Sequence, residues 1–170
     1  MATTAATTTW TADTVHSTAN FAVRHMVVAT FRGAFTDVTG SLDLAEQPRL
    51  VGEVDVASIQ VKDENLYGHL QSAEFFDAAT TPKITFVSDS VVRDGDDVTL
   101  EGDLTIKGVT KPVTLRVTSF QNIKHPMLQK DAIGANATVT VKRSDFNAGK
   151  YAPNVGDEVT IDIPVEAILQ

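Results

Sequence analysis

The segment that decides the fold runs from Val98 to Phe120, VTLEGDLTIKGVTKPVTLRVTSF. Val98, Leu100, Leu104 and Ile106 share one parity, and Thr99, Glu101, Asp103, Thr105 and Lys107 share the other. Gly108 to Pro112 interrupt the pattern, and Val113, Leu115 and Val117 resume it. Strand side chains alternate between faces, so the pattern predicts two half-buried antiparallel strands joined by a short loop. Pairing Ile106 with Val113 sets Leu104 opposite Leu115 inside, with Thr105 opposite Thr114 and Asp103 opposite Arg116 outside. A slip of two residues would pair Glu101 with Arg116, so charge alone leaves the register open.

The same two-fold period recurs on both sides of this hairpin. Upstream, Phe21, Val23, His25, Val27 and Ala29 alternate, which points the His25 imidazole inward and Arg24 outward. Val38, Leu42 and Leu44 follow in phase, punctuated by Gly33 and Gly40. Leu50 to Val61 reads as another strand; Val54 and Val56 are out of phase with Ile59 and Val61, which predicts a bulge near Ala57 or Ser58. Ile84, Phe86 and Val92 mark the next strand, and phase favours a three-residue loop, Asp94-Gly95-Asp96, with Arg93 opposite Asp97. Downstream, Gln121 to Asp131 reads as a loop. Ala135 to Val141 and Val159 to Val165 are strands, separated by a long irregular segment, Arg143 to Asp157. Loops of that length often cover a site. Only Asp63 to Phe76 breaks the period: Leu66, Leu70 and Ala73 fall at helical spacing behind an Asp63 N-cap.

These elements predict an all-β domain, about eight antiparallel strands in sequential hairpins with one short helix. An up-and-down β-barrel and a sandwich both meet that count. Small residues at inner positions (Ala29, Ser88, Ser90, Gly102, Ala135 and Ala137) favour a barrel with a cavity. The last strand lacks a protected edge, so it is expected to pair with an early strand and close the sheet. Residues 1–9, rich in Thr and Ala, read as a flexible tail, and residues 10–170 as one domain.

Composition narrows the function. The chain has 170 residues, 42% hydrophobic and 21% charged, an ordinary globular balance. Its net charge of -8 argues against nucleic acid and against electrostatic docking on an anionic lipid surface. There is no cysteine, hence no disulfide framework, thiolate metal site or Cys nucleophile. No apolar run approaches a membrane span, so stable membrane insertion is not expected. The start, MATTAATTTW, has neither a basic nor an apolar signal region, which makes the cytoplasm the expected location. A homodimer is left open.

Catalytic patterns are weak. Asp13, His16 and Ser17 are the residue types of a triad, but adjacent His and Ser point to opposite faces of a strand, and there is no G-x-S-x-G elbow. His16, His25, His69 and His125 show no metal-ligand spacing, which leaves only a site assembled in space. No catalytic residue, no metal and no cofactor is expected. An apolar lumen suits a hydrocarbon chain better. At about 0.8 kcal/mol per buried methylene, about ten such groups match the ~8 kcal/mol of a micromolar complex before ordering costs. Phe21, Val23, Val27, Phe86, Leu104, Ile106, Val113 and Leu115 are the candidate walls, Phe75 a candidate rim residue and His25 the candidate polar contact. The rival is an enzyme, an isomerase or hydrolase of a lipophilic substrate, using His25 with His16 or His69.

Six segments, taken together, resemble the YceI-like family: DTVHSTANFAVRH (Asp13 to His25), GHLQSAEFFD (Gly68 to Asp77), PKITF (Pro82 to Phe86), GDLTIKGVTKPVTL (Gly102 to Leu115), RSDF (Arg143 to Phe146) and VGDEVTIDIPVEA (Val155 to Ala167). They keep that family's order, and LTIKGVTKPV is the most specific. The resemblance implies a lipocalin-like barrel whose tunnel binds a polyisoprenoid or isoprenoid quinone as a carrier, storage or sequestration protein. Where the family commonly has Gly after RSDF, this chain has Asn147.

Overall fold

Antiparallel strands close into a barrel of eight walls taken in chain order. The structure, a computed structural model, describes residues 9–44 and 47–170. The first three walls are each two strands in line: β1 (Thr9–Ala12) with β2 (Ala19–His25), β3 (Ala29–Phe35) with β4 (Val38–Asp43), and β5 (Arg49–Asp55) with β6 (Ile59–Gln60). A helix, α1 (Glu64–Gln71), leads to five long strands: β7 (Lys83–Asp94), β8 (Asp97–Ile106), β9 (Val109–Lys124), β10 (Asp131–Lys142) and β11 (Val155–Leu169). Each wall pairs with the next, and β11 returns to pair with β2 (Ile161 opposite Phe21) and β1 (Trp10 opposite Leu169). The expected closure is therefore present. Residues 1–8 of the expected tail lie outside the described residues; Thr9 already pairs with Asp43.

Turns alternate between two ends. At one end lie the β2–β3 turn, α1, the β8–β9 turn and the segment between β10 and β11; we call it the lid end. The β7–β8 and β9–β10 turns lie at the far end. Asp63 caps α1 as expected, its side chain accepting from Leu66 N at 2.9 Å. Leu70 is the buried face of that helix and packs with Phe35 and Ile59. Tyr67 and Gln71 donate to the carbonyls of Ala57 and Val56, so α1 is strapped to the third wall.

Several local expectations are corrected. In the opening hairpin Ile106 faces Val109, Gly102 faces Val113 and Leu100 faces Leu115, so the register lies four residues from the expected one. The turn is only Lys107-Gly108, both at positive φ (52° and 74°), the geometry of a tight hairpin. Pro112 is therefore inside a strand. It is tolerated because this part of β9 is an edge: β10 pairs with β9 only from Arg116 onward. A shift by an even number preserves faces, so Leu104, Ile106 and Leu115 remain buried. Arg116 accordingly sits opposite Thr99 and reaches Asp97, at 3.8 Å, instead of Asp103.

The β7–β8 loop is two residues, with Asp94 opposite Asp97. A bulge between Ser88 and Ser90 shifts the phase that had favoured three. Buried Ser88 holds that bulge, donating to the Glu101 carbonyl at 2.6 Å, so Ser88 and Ser90 belong to the wall and leave no space in the lumen. The phase change near Ala57 comes from a 3-10 turn, Val56–Ser58, capped by Asp55, where a bulge had been expected. Gln121 to Lys124 extend β9, so the expected loop shrinks to residues 125–130. Val27 sits in the β2–β3 turn at φ 67° and is 63% exposed, because the chain reverses before it can continue the strand. Gly33 and Gly102 are filled from above by aromatic rings: a Cβ on Gly33 would lie 2.5 Å from Phe21 Cζ, and one on Gly102 2.8 Å from Phe86 Cζ.

Candidate functional site

An apolar cavity of about 1270 Å³ runs along the barrel axis. Its walls come from the inward parity of the strands. Phe21 and Val23 on β2, Phe86 on β7, and Leu104, Ile106 and Leu115 on β8 and β9 all line it, as their alternation predicts. Val27 does not, for the reason given above. Val113 lies beside the buried cluster of Phe86, Leu104, Ile106 and Leu115 but contributes no surface to the cavity. Phe146, from a 3-10 turn (Arg143–Phe146), is 2% exposed and fills the gap where β9 and β10 part.

Trp10, Phe35, Phe76 and Ile133 also line the cavity, and none of them was among the candidate wall residues drawn from the alternation. Phe31, Phe21, Phe35 and Phe76 form a chain of ring contacts at 6.1, 5.7 and 5.5 Å. Tilted and edge-on rings are favourable geometries, so this chain couples the barrel wall to the segment after α1. Gly52, opposite Phe86 on β5, lines the lumen too, and a Cβ there would meet nothing within 4 Å.

Polar groups gather at the lid end. His25 lies on the cavity rim, exposed, at the end of β2. It is therefore placed at the mouth, not in the interior where its phase had put it. Across the same rim stand His69, Phe75 and Tyr151. Glu74 joins them: its Oε2 accepts from Tyr151 Oη at 2.7 Å and lies 2.7 Å from His69 Nε2, and its Oε1 accepts from Lys150. Those partners, Lys150 first, then His69 and Tyr151, hold the Glu74 carboxyl down at about 2. Phe75 stacks on Tyr151 at 6.0 Å and meets His69 edge-on at 5.0 Å. The helix side of the lid is thus latched to the loop before β11.

That loop is organised by Arg143. Its guanidinium donates to the carbonyls of Ala148, Lys150, Val155 and Gly156. Next to it, Ser144 donates both N–H and Oγ–H to the Asp157 carboxylate, at 2.8 and 2.6 Å. These bonds from Ser144 keep the Asp157 carboxyl below its ordinary range. Asn147 holds φ 55°, a left-handed conformation that Gly or Asn adopts most readily, which accounts for Asn at this position.

The triad residue types do not assemble. Ser17 is fully buried, its Oγ bonded to the backbone of Glu166, while His16 Nδ1 points to Asp13 Oδ2 at 2.8 Å. Asp13, His16 and Glu166 form the one cluster of metal-ligand types among the described residues. None of the three lines the cavity. The hydrogen bond with Asp13 raises the His16 pKa and lowers that of Asp13. Of the two partners considered for His25, His16 is excluded by position and only His69 shares its rim.

Comparison with known proteins agrees with this architecture. A family model described as YceI-like domain matches residues 10–167. Protein YceI of Escherichia coli is 35% identical over 159 residues, covering 91% of this chain and 83% of that protein. Among solved structures, BcnA of Burkholderia cenocepacia superposes with a TM-score of 0.78 at 28% identity, over 91% of this chain and 98% of that one. A polyisoprenoid-binding domain from Saccharophagus degradans shares the fold, with a TM-score of 0.70 at 16% identity over 95% and 98% of the two chains. No helix among the described residues is long and apolar enough to cross a membrane.

Proposed function

The chain belongs to the YceI-like family, and from that premise we propose that its barrel binds one long apolar chain, a polyisoprenoid or the tail of an isoprenoid quinone. The binding serves carriage, storage or sequestration of the ligand. The observation that carries this reading is the lumen: about 1270 Å³, walled mostly by Phe, Leu, Val, Ile and Ala residues. Sites for drug-sized molecules occupy roughly 300–1,000 Å³ and place several polar groups for orientation. Here the space is larger and polar side chains stand mainly at its two ends, His25, His69 and Tyr151 at the lid and Arg93 and Asn122 opposite, which suits an extended hydrocarbon with its head group at a mouth. The polyisoprenoid-binding domain of the same fold supports this choice of ligand class.

The test is native mass spectrometry of the protein purified from cells, with organic extraction of what it carries. A co-purified isoprenoid lipid, or saturable uptake of a fluorescent isoprenoid by stripped protein, is the expected result. Absence of both a bound lipid and any uptake would overturn the reading.

A further inference from the structure

The far end of the barrel carries an overhang. At that end β8 reaches only to Asp97, and its Val98 faces Val117, whereas β9 continues to Lys124, paired there with β10 alone. Seven residues at about 3.3 Å each, tilted as barrel strands are, project roughly 15–20 Å past the β7–β8 turn. At the tip, Met127 is 86% exposed and Leu128 54% exposed. The tip is a built turn: His125 Nδ1 accepts from the N–H groups of both Met127 and Leu128, and Gln129 donates to the Pro126 carbonyl. Two apolar side chains are therefore held out into solvent by a fixed backbone.

The flange is continuous with the cavity. Phe120 and Asn122 on its inner face line the lumen, as do Leu44 and Val91 below it, and Phe120, Leu44 and Val91 are themselves exposed. The lumen thus reaches solvent beneath the overhang, at the end away from the Glu74 latch.

Charge points the same way. The chain carries -8, yet no acidic residue occurs between Asp103 and Asp131, and the cations of that span that lie toward the far end are Arg116, Lys124 and Lys130. Lys124 and Lys130 flank the apolar tip, Lys124 3.9 Å from Asp131 in an exposed pair. The acidic β7–β8 turn (Asp94, Asp96, Asp97) is recessed below the tip by more than the ~8 Å over which salt screens charge at physiological strength. A net charge averages over the surface; a membrane meets only the part that touches it.

We propose that the β9–β10 tip docks on an anionic bilayer surface, Met127 and Leu128 entering the headgroup region between Lys124 and Lys130, so that a membrane-resident chain passes along Phe120 into the lumen. Docking is peripheral, without spanning. The choice of a lipid surface rests on the isoprenoid reading above.

Flotation of the full chain with vesicles of phosphatidylcholine, and of phosphatidylcholine mixed equally with phosphatidylglycerol, tests the docking by itself. Wild type should float with the mixed vesicles, and less so as salt is raised. Met127→Ser/Leu128→Ser and Lys124→Ala/Lys130→Ala should each reduce binding by about tenfold. Val28→Ser, on the exposed β2–β3 tip at the opposite end, should leave it unchanged. A second assay measures uptake of a fluorescent isoprenoid from those vesicles and from cyclodextrin. The Met127/Leu128 variant should lose vesicle uptake and keep cyclodextrin uptake. No wild-type flotation, equal flotation of wild type and tip variants, loss caused by Val28→Ser, or self-association through the β9 edge in place of vesicle binding would each overturn the proposal. Absence of cyclodextrin uptake by wild type would instead sink the isoprenoid reading, leaving the flotation result to stand on its own.

Discussion

Glu74, just after α1, accepts a 2.7 Å hydrogen bond from Tyr151 in the loop before β11, and this contact ties the two halves of the lid together. The carboxylate is its centre, so the latch depends on charge. A carboxyl whose pKa is depressed contributes stability that is full above its ordinary value and is lost as pH falls through the depressed one. For Glu74 that window runs from 4.5 down to about 2. Hydrogen exchange of residues 147–154 should accelerate, relative to the barrel strands, as pH drops through that range. Glu74→Gln should show faster exchange already at neutral pH, by up to about 5-fold for an exposed pair, and no further acceleration in the window. Identical pH profiles for the two proteins would remove the latch.

Arg143 satisfies four backbone carbonyls with one planar group. Its replacement by Ala strands those acceptors, at a cost of about 2–3 kcal/mol in stability. Arg143→Lys should recover only part of this, because an ammonium lacks the fork that reaches several carbonyls at once. Denaturant unfolding of the three proteins measures it. Equal stability of the Lys variant and wild type would show that charge, not geometry, orders the loop.

His16 provides a local check on electrostatics. Its hydrogen bond to Asp13 raises its pKa above the ordinary 6.5. A raised imidazole stabilises the fold below 6.5 and loses that contribution as pH climbs through the folded value. NMR titration should place the His16 midpoint above 6.5, and Asp13→Asn should lower it toward the ordinary value, with Glu166 at 3.7 Å still acting on it. An unchanged midpoint in the variant would mean that Asp13 is not the cause.

Two glycines separate wall from lumen. At Gly33 an added Cβ would press into the Phe21 ring, whereas at Gly52 it would meet open space. Gly33→Ala should therefore destabilise the barrel by about 1–3 kcal/mol through overpacking. Gly52→Ala should be neutral or slightly stabilising, since it restricts the unfolded chain without strain. Thermal unfolding of both proteins would show the contrast, and equal losses would argue that the cavity at Gly52 is filled.

What the sequence made legible was local. Alternation put Phe21, Phe86, Leu104 and Leu115 on inward faces, and Asp63 three residues before Leu66 announced the helix cap. Even the wrong register of the opening hairpin preserved those faces, because its error was an even number of residues. Turns that need positive φ at an ordinary residue, Lys107 or Val27, were not legible, and neither was the bulge after Ser88 that altered the phase of β7. The latch was hidden for another reason. Glu74 and Tyr151 are 77 positions apart, and nothing short of the closed barrel brings them together.

The lumen itself is tested most directly by filling it. Gly52→Trp places an indole into open space from an unstrained strand position, so the barrel should fold with an unchanged melting temperature. Titration of stripped protein with a fluorescent isoprenoid should then show saturable uptake by wild type and a loss of at least about tenfold, or 1.4 kcal/mol, in the variant. A folded Gly52→Trp protein that takes up the probe as wild type does would contradict the account, because the ligand would have to bind somewhere other than the tunnel.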